Sequence, residues 1–258
     1  MRVLYPFNPL NEKQADEPYQ EEFSVLKNKG LNCSLFDFDV LNFDEFNPIP
    51  SIKKDEVIVY RGWMLNLNNY KKFIKHIKNT GGMPLTSYEN YKKCHHLLNW
   101  YDSCSKFTAE TKFFLDNECL ESEIKHLGWD SYFVKDYVKS NNTELGSIAS
   151  SPKEVLKIIG LIKKFRGEIE GGIAIRKVED YKRETEIRYF VFNGKVHSPN
   201  TQIPDIVIEI ASKIDAPFYS IDMVQKNNGT LRLVEIGDGQ VSDKKMWSIK
   251  FFASIFVQ

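Results

Sequence analysis

The 258-residue sequence is 42% hydrophobic and 13% aromatic, which supplies sizeable cores and excludes a disordered or fibrous chain. Thirty-five Lys and Arg balance thirty-five Asp and Glu, so a formal net charge of zero leaves no long-range field to gather nucleic acid or an anionic membrane. No run approaches the roughly 20 apolar residues of a membrane span, and the opening Met1-Arg-Val-Leu-Tyr-Pro-Phe7 lacks the apolar core of a secretory signal, so a cytoplasmic protein is expected.

The N-terminal third alternates strand and helix. Strands are predicted over Arg2–Phe7, Asn32–Phe36 and Glu56–Tyr60, with helices near Pro18–Lys29, closed by Gly30, and near Asn68–Asn79, closed by Gly81-Gly82. That order implies a small parallel sheet with helices on its faces. The second helix carries Tyr70, Phe73, Ile74 and Ile77 at helical spacing, with Lys71, Lys72, Lys75 and Lys78 on the solvent side. One further helix is predicted from Tyr88 to about Trp100.

Cys33, Cys94, Cys104 and Cys119 show no Cys-x-x-Cys spacing and read as reduced, structural thiols. Cys94-His95-His96 lacks the second ligand pair of a structural zinc site, and adjacent histidines on one helix point to different faces, so zinc is not expected there.

Beyond residue 105 the pattern changes to antiparallel strands, predicted over Tyr132–Val138, Ile173–Val178, Thr185–Phe192, Lys195–His197, Phe218–Gln225 and Thr230–Ile236. Asn193-Gly194 and Asn228-Gly229 supply the positive φ angles of tight hairpins. Helices are predicted from Ser151-Pro152, with Glu154 in the first turn, over Pro204–Lys213, and within Asp243–Phe256.

Three places carry charge where strand patterning asks for apolar residues. Lys135 interrupts an apolar strand and Lys139 has the same parity, so both are expected on one face, followed by a polar loop, Ser140–Gly146, suited to covering phosphates, the alternative being an exposed edge strand with both lysines in water. Glu184, Glu186 and Arg188 share parity on the next strand, an acidic and basic row on one sheet face. Asp222 and Glu235 sit in apolar surroundings on the two arms of the last hairpin. Carboxylates there are costly unless paired or bound to a cation, and the pair suits Mg²⁺. Arg61 ends the apolar run Val57–Tyr60 and precedes Gly62, a place where ligands gather in open α/β sheets. It is expected to grip a substrate carboxylate, the alternative being a pair with a neighbouring acid.

The strings Tyr60-Arg-Gly-Trp63, Tyr132-Phe-Val-Lys-Asp-Tyr-Val-Lys139, Glu170-Gly-Gly-Ile-Ala-Ile-Arg176, Glu186-Ile-Arg-Tyr-Phe190 and Glu235-Ile-Gly-Asp-Gly-Gln-Val-Ser-Asp243 resemble, in this order, the ATP-grasp superfamily, and within it the clade named for an arginine and two lysines. The resemblance implies an α/β (α+β) ATP-grasp fold. An N-terminal parallel α/β domain over 1–87 would precede an ATP-grasp domain over 88–258, whose antiparallel lobes, about 105–178 and 179–258, clasp ATP. It implies that Lys135 touches the α-phosphate or adenine, that Lys139 guards the phosphate loop, and that backbone groups of Ile175, Arg176, Lys177 and Val178 form the adenine hinge. Glu186 would lie near ribose or metal, Arg188 near the transferred phosphate, and Asp222, Glu235 and a third ligand, Asp238, would hold magnesium. Gly237 stands where many members have Asn, and the usual glycine-rich phosphate loop is replaced by Ser140–Gly146. The implied activity is ATP-dependent carboxylate–amine ligation through an acyl phosphate, with small-molecule or peptide substrates and no nucleic acid or membrane partner. The alternatives are an ATP-binding regulatory protein without turnover and a phosphotransferase.

Overall fold

The structure is a computed structural model that describes residues 1–39, 46–115, 120–139, 146–167, 169–200 and 202–257. Cys119 and Ser140–Leu145, most of the expected phosphate-covering loop, lie outside the described residues. The first part of the chain forms β1 (Arg2–Asn8), β2 (Asn11–Ala15), α1 (Glu17–Asn28), β3 (Asn32–Phe36), β4 (Val57–Tyr60), α2 (Leu67–Asn79), β5 (Met83–Pro84), α3 (Tyr88–His95) and α4 (Leu97–Cys104). Next come β6 (Thr111–Phe114), α5 (Leu120–Lys125), β7 (Tyr132–Asp136), β8 (Ile148–Ala149), α6 (Pro152–Arg166) and β9 (Ile173–Lys177). The last part contributes β10 (Tyr181–Phe192), β11 (Lys195–His197), α7 (Asp205–Ala211), β12 (Phe218–Lys226), β13 (Leu231–Asp238) and α8 (Ile249–Ala253).

By packing, the chain divides into two compact units. One comprises Met1–Lys92, Ile187–Ile221 and Gly237–Gln258, the other Lys93–Glu186 and Asp222–Ile236. In the first, β3 and β4 flank β1 in parallel, in register at Val3↔Cys33 and Val3↔Val59, and β4 pairs with β5 in parallel. Because β1 is covered on both faces, its run Val3–Phe7 is apolar, as the middle of a parallel central strand must be. Val3 and Tyr5 pack with Phe23 and Leu26 of α1 and with Phe252 and Phe256, whereas Leu4 packs with Tyr60 and with Phe73 and Ile77 of α2. The hairpin strand β2 is absent from the sequence reading because Asn-Glu-Lys-Gln-Ala has a composition poor for strands; it pairs antiparallel with β1 as an edge. Helix starts follow local chemistry. Asn66 accepts from Asn69 N at α2, and Ser151 accepts from Glu154 N at α6 while Glu154 accepts back from Ser150 N.

Arg61 follows β4 and is 1% exposed. Its Nε and Nη2 donate to the two oxygens of Glu22 on α1, at 2.8 and 3.0 Å, and its Nη1 donates to the carbonyls of Gly239, Gln240 and Ser242, at 2.6, 3.1 and 2.9 Å. The guanidinium also lies 4.7 Å from the Phe252 ring centroid, and Glu22 accepts from Tyr5 OH. The expectation that Arg61 grips a substrate carboxylate is therefore corrected: its fork is taken up by Glu22 and by the three backbone carbonyls, one of which, that of Gln240, also accepts from Gly62 N at 3.3 Å. Gly62 beside it is required sterically, since a Cβ there would stand 2.3 Å from Tyr60 Oη.

Asp238, expected as a metal ligand, is 1% exposed; its Oδ1 accepts from the backbone and side chain of Gln240, and its Oδ2 has no hydrogen-bond partner. Side chains alternate along a strand, so Asp238 shares the face of buried Ile236, while Glu235 points with Gly237 to the other. That alternation corrects Asp238 as a partner of Glu235 on one cation. Burial raises the Asp238 carboxyl to about 7, against the opposing pull of the Gln240 hydrogen bonds and Arg61.

Two outcomes follow from this network. Glu22→Gln removes the counter-charge of a buried guanidinium and should lower unfolding stability by about 3–5 kcal/mol in urea titrations; a loss below about 1 kcal/mol would show that the pair is dispensable. For Asp238, the folded pKa of about 7 exceeds the roughly 3.9 of an unfolded Asp. The folded state holds a proton that the unfolded chain releases, so this residue's contribution to stability falls as pH rises from about 4 to about 7. The Tm of Asp238→Asn relative to the natural protein should climb across that window and level off above it.

Candidate functional site

The second unit is built on an antiparallel sheet in the order β6-β9-β7-β8. Register places Thr111 and Phe133 beside Arg176, and Phe113 and Lys135 beside Ala174, so these side chains share one face. The opposite face carries Tyr132, Val134, Ile173 and Ile175, which pack with Ile124 of α5 and with Val155, Ile158 and Ile162 of α6. One face of the sheet is thus core, and the other brings Lys135 and Arg176 together with aromatic neighbours.

On that second face lies a cavity of about 710 Å³, lined by Phe133, Arg176, Lys177, Val178, Glu179, Tyr181 and Glu186, among others, with Val224 and Val234 from β12 and β13. Its volume falls in the range of small-molecule sites. Of the four residues assigned to the hinge, Arg176, Lys177 and Val178 line it, whereas Ile175 is wholly buried in the core of the other face. Glu186 also lines it, but its parity mate Glu184 is exposed.

The charges of the cavity wall are fixed by strand β13. Arg176 donates to Val234 O at 2.7 Å and to Thr108 Oγ1, and its Nε has no hydrogen-bond partner. Arg232 makes a two-point pair with Glu179 at 2.9 and 3.0 Å and donates to the carbonyls of Lys106 and Thr108. Glu179 is held below the usual carboxylate range, because Arg232 and Tyr181 outweigh the opposing effect of burial. Sequence reasoning named Arg176 only for its backbone; the signal for its side chain was present, an arginine ending the apolar run Ile173-Ala-Ile175.

Lys135 is 5% exposed and pairs with Glu235 at 2.6 Å. The cation assigned to phosphate and an anion assigned to metal therefore satisfy each other in this structure. Asp222 is buried on β12 in the same unit. Lys139 departs from expectation, because β7 ends at Asp136, whose carboxylate accepts from the backbone N–H of Val138 and Lys139. This side-chain turn breaks the alternation, so Lys139 is exposed and does not share a strand face with Lys135. In the first unit, Arg188 on β10 donates to the backbone and side-chain oxygens of Asp243, both at 2.9 Å.

Solved structures share this architecture over the whole chain. D-cycloserine synthetase DcsG matches with a TM-score of 0.65 and 10% identity, over 99% of this chain and 98% of that one. A RimK domain ATP-grasp protein from Sphaerobacter thermophilus matches with a TM-score of 0.65 and 10% identity over 100% of both chains. Macrocyclase MdnC from Microcystis aeruginosa, solved with its precursor peptide MdnA, matches with a TM-score of 0.62 and 11% identity, over 100% and 99%. At such identities the likeness establishes the fold, with its several sheets, and no more. No protein of curated description matches the chain in sequence. The family model for the ATP-grasp domain, R2K clade family 3, matches residues 126–255, half of the chain, and it is to this family that the chain belongs.

Proposed function

We propose that the protein is an ATP-dependent carboxylate–amine ligase working through an acyl phosphate, with ADP and phosphate as co-products. The observation that carries the proposal is the cavity of about 710 Å³, whose wall combines Arg176 with Glu186 and whose sheet face also bears Lys135. An anionic nucleotide fits this donor set: the Nε of Arg176 has no hydrogen-bond partner, and Lys135 is held by a single carboxylate that a cation would draw away. Magnesium suits Asp222 and Glu235, a pair of oxygen donors, and would neutralise phosphate charge there.

In this reading the backbone of Arg176–Val178 holds adenine, Lys135 holds the α-phosphate, Glu186 lies near ribose, and Lys139 and Arg188 stabilise the transferred phosphoryl group. The chain acts by positioning and charge neutralisation, and no side chain needs to serve as nucleophile. The division into an N-terminal domain over 1–87 and an ATP-grasp domain over 88–258 belongs to the same reading, as does a cytoplasmic setting. No described helix is long and apolar enough to cross a membrane. MdnC was solved with a precursor peptide, which extends the candidate carboxylates from small molecules to peptides.

The test is ADP release with pooled amino acids and peptides, followed by mass analysis of the product. An amide supports ligation, a phosphate ester indicates phosphotransfer, and nucleotide binding without ADP indicates a regulatory protein. Two variants sharpen it. Lys135→Ala should weaken ATP binding by about 1.5–3 kcal/mol, the worth of a hydrogen bond to a charged group; unchanged affinity by calorimetry removes Lys135 from the site. Asp222→Asn and Glu235→Gln should abolish ADP formation with far-UV spectra preserved. Loss of stability with activity per folded molecule intact would instead make both carboxylates structural.

A further inference from the structure

His95 ends α3, and His96 stands before α4 with φ −101° and ψ 121°, an extended residue between two helices. The single helix expected over Tyr88 to about Trp100 is therefore broken at this point. The break removes the helix-geometry ground against zinc, since His95 and His96 do not belong to one continuous helix. Instead His95, His96 and Glu170 bring one ligand atom each to within 4.8 Å of one another.

Both imidazoles converge on the same carboxylate oxygen, with His95 Nε2 3.6 Å and His96 Nε2 3.5 Å from Glu170 Oε1. Charge-assisted N–H···O bonds close to about 2.7–2.9 Å, so these distances are too long for direct hydrogen bonds. They are close to the roughly 3.3 Å edge of a tetrahedron with metal–ligand bonds of about 2.0–2.1 Å. His96 is 6% exposed, and neither its Nε2 nor Glu170 Oε1 has a hydrogen-bond partner.

The backbone holds the three residues in place. Leu97 N donates to Tyr137 O at 2.8 Å, Tyr137 N to Glu170 O at 3.2 Å, and Glu170 N to Asp136 Oδ2 at 3.3 Å. Gly171, at φ +79°, admits the close approach, because a Cβ there would meet Tyr137 at 2.6 Å and the His96 ring at 3.1 Å.

We propose that His95, His96 and Glu170 form a binding site for one divalent transition-metal ion, zinc by preference, with water or an exogenous ligand in the fourth position. Two imidazoles and a carboxylate select zinc and its neighbours over magnesium, which prefers oxygen donors throughout. The site uses other residues than the carboxylates Asp222 and Glu235, and the proposal stands whether or not the chain is a ligase.

The experiment is zinc titration of the chelator-treated full-length protein in excess magnesium, with metal content measured by elemental analysis. One zinc per chain is expected, together with a zinc-dependent rise in Tm. His96→Gln and Glu170→Gln should each weaken binding by at least about a hundredfold, the upper end of what even an outer-shell partner contributes, while Asp222→Asn leaves it unchanged. Cobalt added to the unaltered protein should give the strong visible bands of a tetrahedral ion, a readout that needs no variant to fold. No retained zinc, equal zinc binding by His96→Gln, or absence of tetrahedral cobalt bands would each overturn the site.

Discussion

A guanidinium with 1% exposure sets the terms for the first unit. Arg61 is tied to α1 through Glu22, to the turn after β13 through three carbonyls, and to α8 through the Phe252 ring. An apolar residue of the same volume would spare the cost of burying charge, yet it would leave the carbonyls of Gly239, Gln240 and Ser242 without this donor. Two of the strings that carry the family resemblance, Tyr60–Trp63 and Glu235–Asp243, are therefore one structural joint seen at two places in the chain.

The same logic organises the second unit on a different scale. Strand alternation divides β7 and β9 into a core face and a charged face, and β13 supplies the partners that make the charged face tolerable: the Val234 carbonyl for Arg176 and Glu235 for Lys135. The pairing of Lys135 with Glu235 lets the two charges satisfy each other, and in the proposed ligase a nucleotide with its cation would exchange one set of partners for another.

Periodicity and end signals made the parallel strands, α2 and α6 legible, because those features are local. Lys135 was conspicuous for a similar reason, a cation in an apolar run, and the same signal at Arg176 went unused. What the sequence hid was the identity of partners. Glu22 lies 39 residues before Arg61, and Glu235 lies 100 residues beyond Lys135. Two local events were missed as well: the Asp136 carboxylate ends β7 before Lys139 can share its face, and the break at His96 turns two neighbouring imidazoles towards one carboxylate. Both depend on a single side chain or dihedral overriding a pattern that otherwise continues.

The interleaving of the chain has a consequence for its birth. The core that contains Val3, Tyr5 and Leu26 is completed by Trp247, Phe252 and Phe256. A ribosome adding about 5–20 residues per second needs on the order of ten to thirty seconds to travel from the end of the first stretch to those aromatic residues. Through that interval β1 and α1 can cover each other but lack the part of their native cover that Trp247, Phe252 and Phe256 supply. That core has no way to close before the ribosome has passed Phe256, however stable the finished protein is.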